Sequence, residues 1–263
     1  MERLLAEAKE LIDQSQRITV LTGAGISTDS GIPDFRGPKG IWTKNPEAEK
    51  ASNIRFYVSD PAIRERNWAL RASGELWSKA VPNKGHLSLA HLEKRGLLKT
   101  LVTQNVDGLH QMAGNDPDRI VEIHGNTQRV MCLECSWTDE MEPVLERVRL
   151  GDKDPHCQCG GLLKSATVSF GQNLFPGDTE KMHEAALTCD LFIAVGTSLQ
   201  VYPVADMVPI AANNGAKVVV INGEETVMDS FAELVVIGEI SQIMPQVTGW
   251  FEANKGAKTR QGS

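Results

Sequence analysis

Arg17-Ile-Thr-Val-Leu21 runs without a break into Thr22-Gly23-Ala24-Gly25-Ile26-Ser27. An apolar, partly β-branched run that ends in a glycine turn reads as a buried strand and a tight loop. Glycines there let the backbone approach a pyrophosphate, and the next helix offers its N-terminal N–H groups and dipole. Gly23, Ala24, Gly25 and Ser27 are therefore candidate dinucleotide contacts. The third glycine of the usual fingerprint is replaced by Thr28, and no acidic residue is clearly placed about 20 positions on. The loop by itself also fits a plain βα turn.

Working outward, Leu4, Leu5, Ala8, Leu11 and Ile12 repeat at helical spacing, which predicts an amphipathic helix over 2–15. Short apolar runs at 100–103, 120–123, 191–195, 217–222 and 234–237 predict further buried strands. Helical stretches separate them at about 86–96, 104–113, 179–188, 203–214 and 239–253. This alternation predicts an α/β fold with a parallel sheet. Residues 42–84 and 130–165 break the alternation and read as insertions that together build a smaller domain. The polar, Gly-containing tail 255–263 is expected to be flexible.

The chain has 263 residues, with 27 Lys+Arg against 34 Asp+Glu and a formal net charge of −7. An acidic chain with 5% aromatic residues is poorly suited to coating a phosphate backbone or stacking on bases, so no direct nucleic-acid binding is expected. No apolar run reaches the ~18 residues of a membrane span. The charged, helical start does not resemble a signal or transit peptide. The expectation is a cytoplasmic protein, without membrane attachment, that acts as a monomer.

Five cysteines are too few, and odd in number, for a disulfide framework. Four of them fall in two close pairs, Cys132-x-x-Cys135 and Cys157-x-Cys159, the second followed by Gly160-Gly161. Two thiolate pairs with a tight glycine turn suit one tetrahedral zinc ion, closed and structural. Free buried thiols are the alternative. Cys189 reads as a small buried hydrophobe.

Ligands of open α/β sheets bind past the carboxyl ends of the strands. Thr103-Gln104-Asn105-Val106-Asp107, His124-Gly125-Asn126, Gly196-Thr197-Ser198 and Asn222-Gly223-Glu224 all fall there. His124 is the best general-base candidate, because imidazole titrates near neutral pH. The other histidines, His86 and His110 among them, are expected in surface or capping roles. Between Gly31 and Gly37, Asp34, Phe35 and Arg36 stand side by side in a segment that Pro33 keeps from being helical. That suits a lid over a cofactor, or a solvated Asp–Arg pair.

These blocks, with Val168-Ser-Phe170-Gly171, Gly196-Thr-Ser-Leu-Gln-Val-Tyr202-Pro203 and Ile221-Asn222, resemble the sirtuins, NAD-dependent protein-lysine deacylases. The match runs from about residue 17 to 245, in the family's order. It implies a Rossmann-like NAD-binding domain of residues 1–41, 85–129 and 166–254. It also implies a small zinc-ribbon plus helical domain, from a helical insertion at 42–84 and a zinc-binding one at 130–165. NAD and an acyl-lysine peptide would enter the cleft between them.

Carried over residue by residue, Gly23, Ala24, Gly25, Ser27, Asp34, Phe35 and Arg36 would hold NAD at the loop and lid. Gln104, Asn105 and Asp107 would line its nicotinamide and ribose. Gly196, Thr197, Ser198, Asn222 and Ile240 would take the adenosine half. His124 would be the general base, with Asn105 beside it as a catalytic residue. Val168, Phe170, Gly171 and Tyr202 would bind the acyl-lysine substrate, its backbone added as a strand. The implied reaction attacks the ribose carbon with the acyl oxygen as nicotinamide leaves. Its products are nicotinamide, free lysine and O-acyl-ADP-ribose.

Three departures from the family pattern stand out: Val106 between Asn105 and Asp107, Gln172 where a Glu is common, and the shortened Cys157-x-Cys159. Relatives that prefer succinyl or malonyl lysine carry a Tyr-x-x-Arg pair in the first insertion, where this chain has Trp68-Ala-Leu-Arg71. An arginine helps an acyl carboxylate only in a dry pocket, and Trp lacks the phenol hydroxyl. The favoured reading puts Trp68 in the small-domain core and Arg71 in solvent, with acetyl as the default acyl group. The alternatives are a desuccinylase or demalonylase, a protein ADP-ribosyltransferase on the same fold, and, less well matched, a hydride-transferring dehydrogenase.

Overall fold

The computed structural model describes residues 1–34, 40–45, 50–75 and 79–251. Phe35, Arg36 and the tail 255–263 lie outside the described residues. All six strands expected from the apolar runs form one parallel sheet: β1 (Ile18–Thr22), β2 (Leu98–Thr103), β3 (Ile120–Glu122), β7 (Leu191–Val195), β8 (Lys217–Asn222) and β9 (Leu234–Ile237). Their order is β3-β2-β1-β7-β8-β9, the doubly wound arrangement in which strand order reverses between the first strand and the fourth.

Both faces of the sheet are buried, which is why its strands read as continuous apolar runs. Val20, Ile193, Val195 and Ile221 point into one core with Ala8, Leu11 and Ile12 of the helix Glu2–Gln14 and with Leu89 and Leu92 of Lys84–Lys94. Their neighbours Leu21, Phe192, Ala194 and Val220 point into the other, with Met182 and Ala186 of Asp178–Thr188 and Val208 of Met207–Asn213. The period-2 alternation of side chains divides each strand between the two cores.

A separate antiparallel sheet joins β4 (Gly125–Cys132), β5 (Thr138–Glu140) and β6 (Leu163–Thr167), in the order β5-β4-β6. Its core holds Trp68, Val130, Cys132, Met141, Val144, Leu145 and Leu163. Trp68 comes from the helix Pro61–Ala72 and Val144 from Glu142–Arg149, so the two insertions share one core. A buried ion pair ties them further. Arg64 forks onto Asp154 at 2.7–3.0 Å and donates to the carbonyls of Tyr57 and Val58. Among the described residues no helix is long and apolar enough to cross a membrane.

One expected helix is mostly absent. Over 104–113 only Leu109–Ala113 is helical. Gly108 sits at φ +72, and the Asp107 carboxylate accepts from the Leu109 N–H at 3.0 Å. Such local side-chain bonds compete with the helical ladder and hold Gln104–Asp107 in an irregular segment at the sheet's edge. After the glycine turn the chain forms a 3₁₀ helix, Ala24–Ser30, ended by Gly31 at φ +85.

Candidate active site

The glycines at the β1–β7 switch point are required by the chain itself. A Cβ on Gly23 would lie 2.7 Å from the Gly196 carbonyl oxygen, and one on Gly25 2.8 Å from Gly196 Cα. Gly196, at φ +65, would meet the backbone nitrogen of Ile26 at 2.4 Å. Two glycine turns therefore interlock across the reversal, held by Gly23 N–H to Val195 O at 3.1 Å and Gly25 N–H to Gly196 O at 2.8 Å. This packing is a second reason for glycine at positions 23 and 25, beside the approach to a phosphate expected from the sequence.

Beside this lock, β2 leads into a hydrogen-bonded set. Asn105 donates from Nδ2 to the Gly23 carbonyl and to Ser27 Oγ, both at 3.1 Å. Ser27 Oγ donates to Asp107 at 2.8 Å. Burial raises the Asp107 pKa, partly offset by the Leu109 N–H and the Ser27 hydroxyl. Gln104 donates to Thr197 Oγ1 at 2.9 Å, joining the β2 end to the β7 end. His124 Nδ1 lies 3.1 Å from the Gln104 carbonyl oxygen. A carbonyl only accepts, so Nδ1 carries the proton and Nε2 keeps its lone pair. Burial lowers the His124 pKa, against an opposing contribution from the Gln104 contact.

His86 and His110 are not surface groups, contrary to the sequence expectation. They are 0% and 1% exposed, with ring centroids 5.0 Å apart. His86 does cap its helix: Nδ1 accepts from the Asn83 N–H, so the Nε2 proton faces Ser27 Oγ at 3.4 Å. His110 Nε2 lies 3.0 Å from Thr22 Oγ1. Burial lowers the His86 pKa to about 4 and that of His110 well below the usual value. Helical periodicity could not show that these positions lie under the strand ends.

A cleft of about 1360 Å³ opens over these residues. The lining brings together Gly23, Asn105, His124, Phe170, Thr197 and Asn222. Ala24, Gly25, Ser27, Asp34, Gln104, Asp107, Gly196, Ser198, Ile240, Val168, Gly171 and Tyr202 also face it. The volume exceeds the roughly 300–1,000 Å³ of a single small-ligand pocket, so it has room for a dinucleotide and a second substrate. Its place at the switch point, between two glycine turns, suits a dinucleotide. On the substrate side, Val168 N–H donates to the His124 carbonyl at 2.8 Å, and the Phe170 N–H and C=O are taken by Ser52 and Ile54.

Part of this wall has no clear signal in the sequence. Arg71 is not in solvent. Its guanidinium donates to Ser165 Oγ at 3.0 Å, and burial lowers its pKa. Trp68 is in the small core as expected, but it also lines the cleft with Tyr57, Lys164 and Ser165. In the run Leu162–Val168 nothing marks a buried lysine.

The four cysteine sulfurs lie within 4.8 Å of one another. Cys132–Cys159 and Cys135–Cys159 are 3.6 Å apart and Cys135–Cys157 3.8 Å. Tetrahedral Zn–S bonds of about 2.3 Å place sulfurs about 3.8 Å apart, and a disulfide needs about 2.05 Å. The set therefore fits one zinc ion, the shortened Cys157-x-Cys159 included. Gly161 must be glycine, since a Cβ there would stand 2.7 Å from Cys132 Sγ. Cys189 is buried apart from them.

Fold and site together define a dinucleotide-dependent enzyme that carries a structural zinc module. A Sir2 family model matches residues 23–203. NAD-dependent protein deacetylase 2 of Streptomyces coelicolor is 44% identical over 229 residues, 87% of this chain and 95% of that protein. A solved structure described as "Structural Basis for the Mechanism and Regulation of Sir2 Enzymes" superposes with a TM-score of 0.85 at 35% identity, covering 96% of this chain and 99% of the other. Another, described as "Sir2-p53 peptide-NAD+", gives 0.82 at 33% identity over 95% and 99%. The chain belongs to the Sir2 family.

Proposed function

We propose that this protein removes acyl groups from lysine side chains of proteins in an NAD-dependent reaction. The observation that carries the reading is His124, whose Nε2 lone pair is left free by the Nδ1 contact to Gln104 in a cleft that also reaches the glycine lock. Similarity to the Streptomyces deacetylase and to the peptide–NAD+ complex supports it. NAD, when bound, supplies an electrophilic ribose carbon with nicotinamide as its leaving group.

In this reading the chain's own residues position and deprotonate. The interlocked turns at Gly23, Gly25 and Gly196, with Thr197, Ser198, Asn222 and Ile240, hold the dinucleotide. Asp34, Phe35 and Arg36 belong to its lid. Gln104, Asn105 and Asp107 hold the nicotinamide end through the Ser27 network. His124 Nε2 accepts a proton from a ribose hydroxyl, work that asks for a base titrating near or below neutral pH. Val168, Phe170, Gly171 and Tyr202 take the acyl-lysine segment.

Residues 1–41, 85–129 and 166–254 form the nucleotide-binding unit, and 42–84 with 130–165 the small one. A monomer is the oligomeric state we expect. A reducing cytoplasm suits four metal-binding thiolates.

The test is nicotinamide release measured with NAD alone, with acetylated peptide alone and with both. Release that needs both, and falls at least about 100-fold in His124→Ala, is the expected result. Labelling of proteins by biotin-NAD with no peptide deacylation would instead mark ADP-ribosyl transfer.

A further inference from the structure

One buried cation in the cleft wall has no part in the chemistry above. Lys164 on β6 lines the cleft and is 3% exposed. Its ammonium donates to the carbonyl oxygens of Ser165 at 3.2 Å and Thr167 at 2.5 Å, and to Thr167 Oγ1 at 3.4 Å. All three acceptors are neutral. Among the described residues no carboxylate pairs with it, and the charge acting on it is the like charge of Arg71.

An ammonium is costly to bury, and buried charges are ordinarily offset by an opposite one. An apolar side chain of the same length would fill the space at less cost. What the charge adds is hydrogen bonds roughly twice as strong as neutral ones. Lys164 has three donors, and all three are spent on Ser165 and Thr167.

That stretch leads from β6 into the segment assigned to the substrate. The register of β4 against β6 shifts between Gly125 and Val130, so the regular ladder is interrupted here. A Cβ on Gly125 would overlap the Ala166 carbonyl oxygen, so β6 presses against the residue next to His124. The peptide group between Thr167 and Val168 is held at both ends. Its oxygen accepts from Lys164, and its N–H donates to the His124 carbonyl at 2.8 Å. A peptide group is planar, so bonds on its two opposite edges fix its tilt. Further on, the Phe170 N–H and C=O are bonded to Ser52 and Ile54, both at 3.0 Å. Val168 and Ser169 therefore span two fixed points, and one of these is the residue that carries the base.

We infer that Lys164 is a positioning residue: its ammonium clamps the Thr167–Val168 peptide group against His124 and so sets where a substrate's acyl-lysine lies relative to the His124 imidazole. The inference rests on the deacylase reading. The role needs no contact between Lys164 and the substrate. Without the ammonium the oxygen end of that peptide group is released, and a misplacement of about 1 Å can cost on the order of 100-fold in rate.

The experiment uses the full chain with NAD and an acetylated peptide. It compares Lys164→Met, which keeps the length and loses every donor, with Lys164→Arg, which keeps charge and donors. Nicotinamide release gives kcat and KM for the peptide, titration gives NAD affinity, and mass spectrometry gives amide hydrogen exchange of residues 163–171. In Lys164→Met, kcat should fall at least about tenfold while NAD affinity stays within about twofold of wild type. Residues 163–171 should exchange faster while β1 and β7 stay protected. Lys164→Arg should recover most of kcat. If Lys164→Met does not fold, Lys164→Gln, neutral and one bond shorter, takes its place with the same expected losses.

Wild-type kcat in the folded Met or Gln variant overturns the inference. So does a joint loss of stability, NAD affinity and kcat that arginine does not restore, because Lys164 would then serve the fold at large. If the wild type turns over no acylated peptide, the deacylase reading fails separately. Exchange of 163–171 then decides the clamp on its own: faster exchange in the variant supports it, and unchanged exchange overturns it.

Discussion

His124 turns Nδ1 onto the backbone carbonyl oxygen of Gln104 at 3.1 Å, so the proton stays on Nδ1 and Nε2 presents its lone pair to the cleft. The contact links the ends of two neighbouring strands, β2 and β3. It also explains why an irregular segment follows β2: a helix beginning at Gln104 would engage that carbonyl in its own ladder.

A base must be unprotonated to act, and burial holds the His124 pKa below that of a free imidazole. The acid limb of kcat/KM should therefore have its midpoint below about 6.5, with activity constant on the alkaline side of that limb. A pH–rate profile of nicotinamide release checks this. A midpoint at or above 6.5 would contradict the buried-base assignment.

The glycine lock predicts intolerance of a single methyl group. Gly196→Ala combines a left-handed backbone with a contact at 2.4 Å to the Ile26 nitrogen. It should destabilise the fold by more than about 2 kcal/mol and weaken NAD binding with it. Denaturant midpoints and NAD titration of the soluble variant report the two effects. Gly177→Ala is the control, because nothing lies within 4 Å of a Cβ there and only its positive φ, +85, is strained.

Stability should also fall in acid through His86. Its folded pKa is depressed to about 4 by burial, against about 6.5 unfolded. The unfolded chain therefore binds the proton first. The stability tied to the neutral ring is complete above pH 6.5 and is lost progressively as pH falls towards 4, on the order of 3 kcal/mol. Urea midpoints at pH 7.5, 6 and 5 measure the slope, and His86→Gln should flatten it. An equal slope in the variant would move the effect to other groups.

Zinc should be stoichiometric and structural. One ion per chain is expected by elemental analysis, and a strong chelator should unpack the small core that Cys132 shares with Trp68. Tryptophan emission should shift to the red and activity should fall in parallel. Full activity in zinc-free protein would show that the module folds without its metal.

Sequence reading found most of the scaffold for a plain reason. Strands buried on both faces must be continuously apolar, so β1, β2, β3, β7, β8 and β9 all stood out as short hydrophobic runs. The paired cysteines were equally legible, because one metal ion demands close spacing along the chain. His124 and Asn105 were visible through their place after a strand end, and the order of the motif blocks identified the family.

Residues in contact only through folding were hidden. Gly23 and Gly196 lie 173 positions apart in the sequence, and their mutual exclusion of a Cβ exists only where β1 pairs with β7. His86 and His110 were expected in surface or capping roles; His86 caps its helix, but the burial of both rings was hidden because a helical pattern does not say what lies beneath it. Arg71 and Lys164 belong to separate insertions whose shared core brings them onto one wall of the cleft. Sequence alone determined the strand pattern, the cysteine pairs and the family. Burial, the His124 tautomer and the charge balance of the cleft were decided by tertiary structure, because solvation and hydrogen bonding depend on neighbours in space.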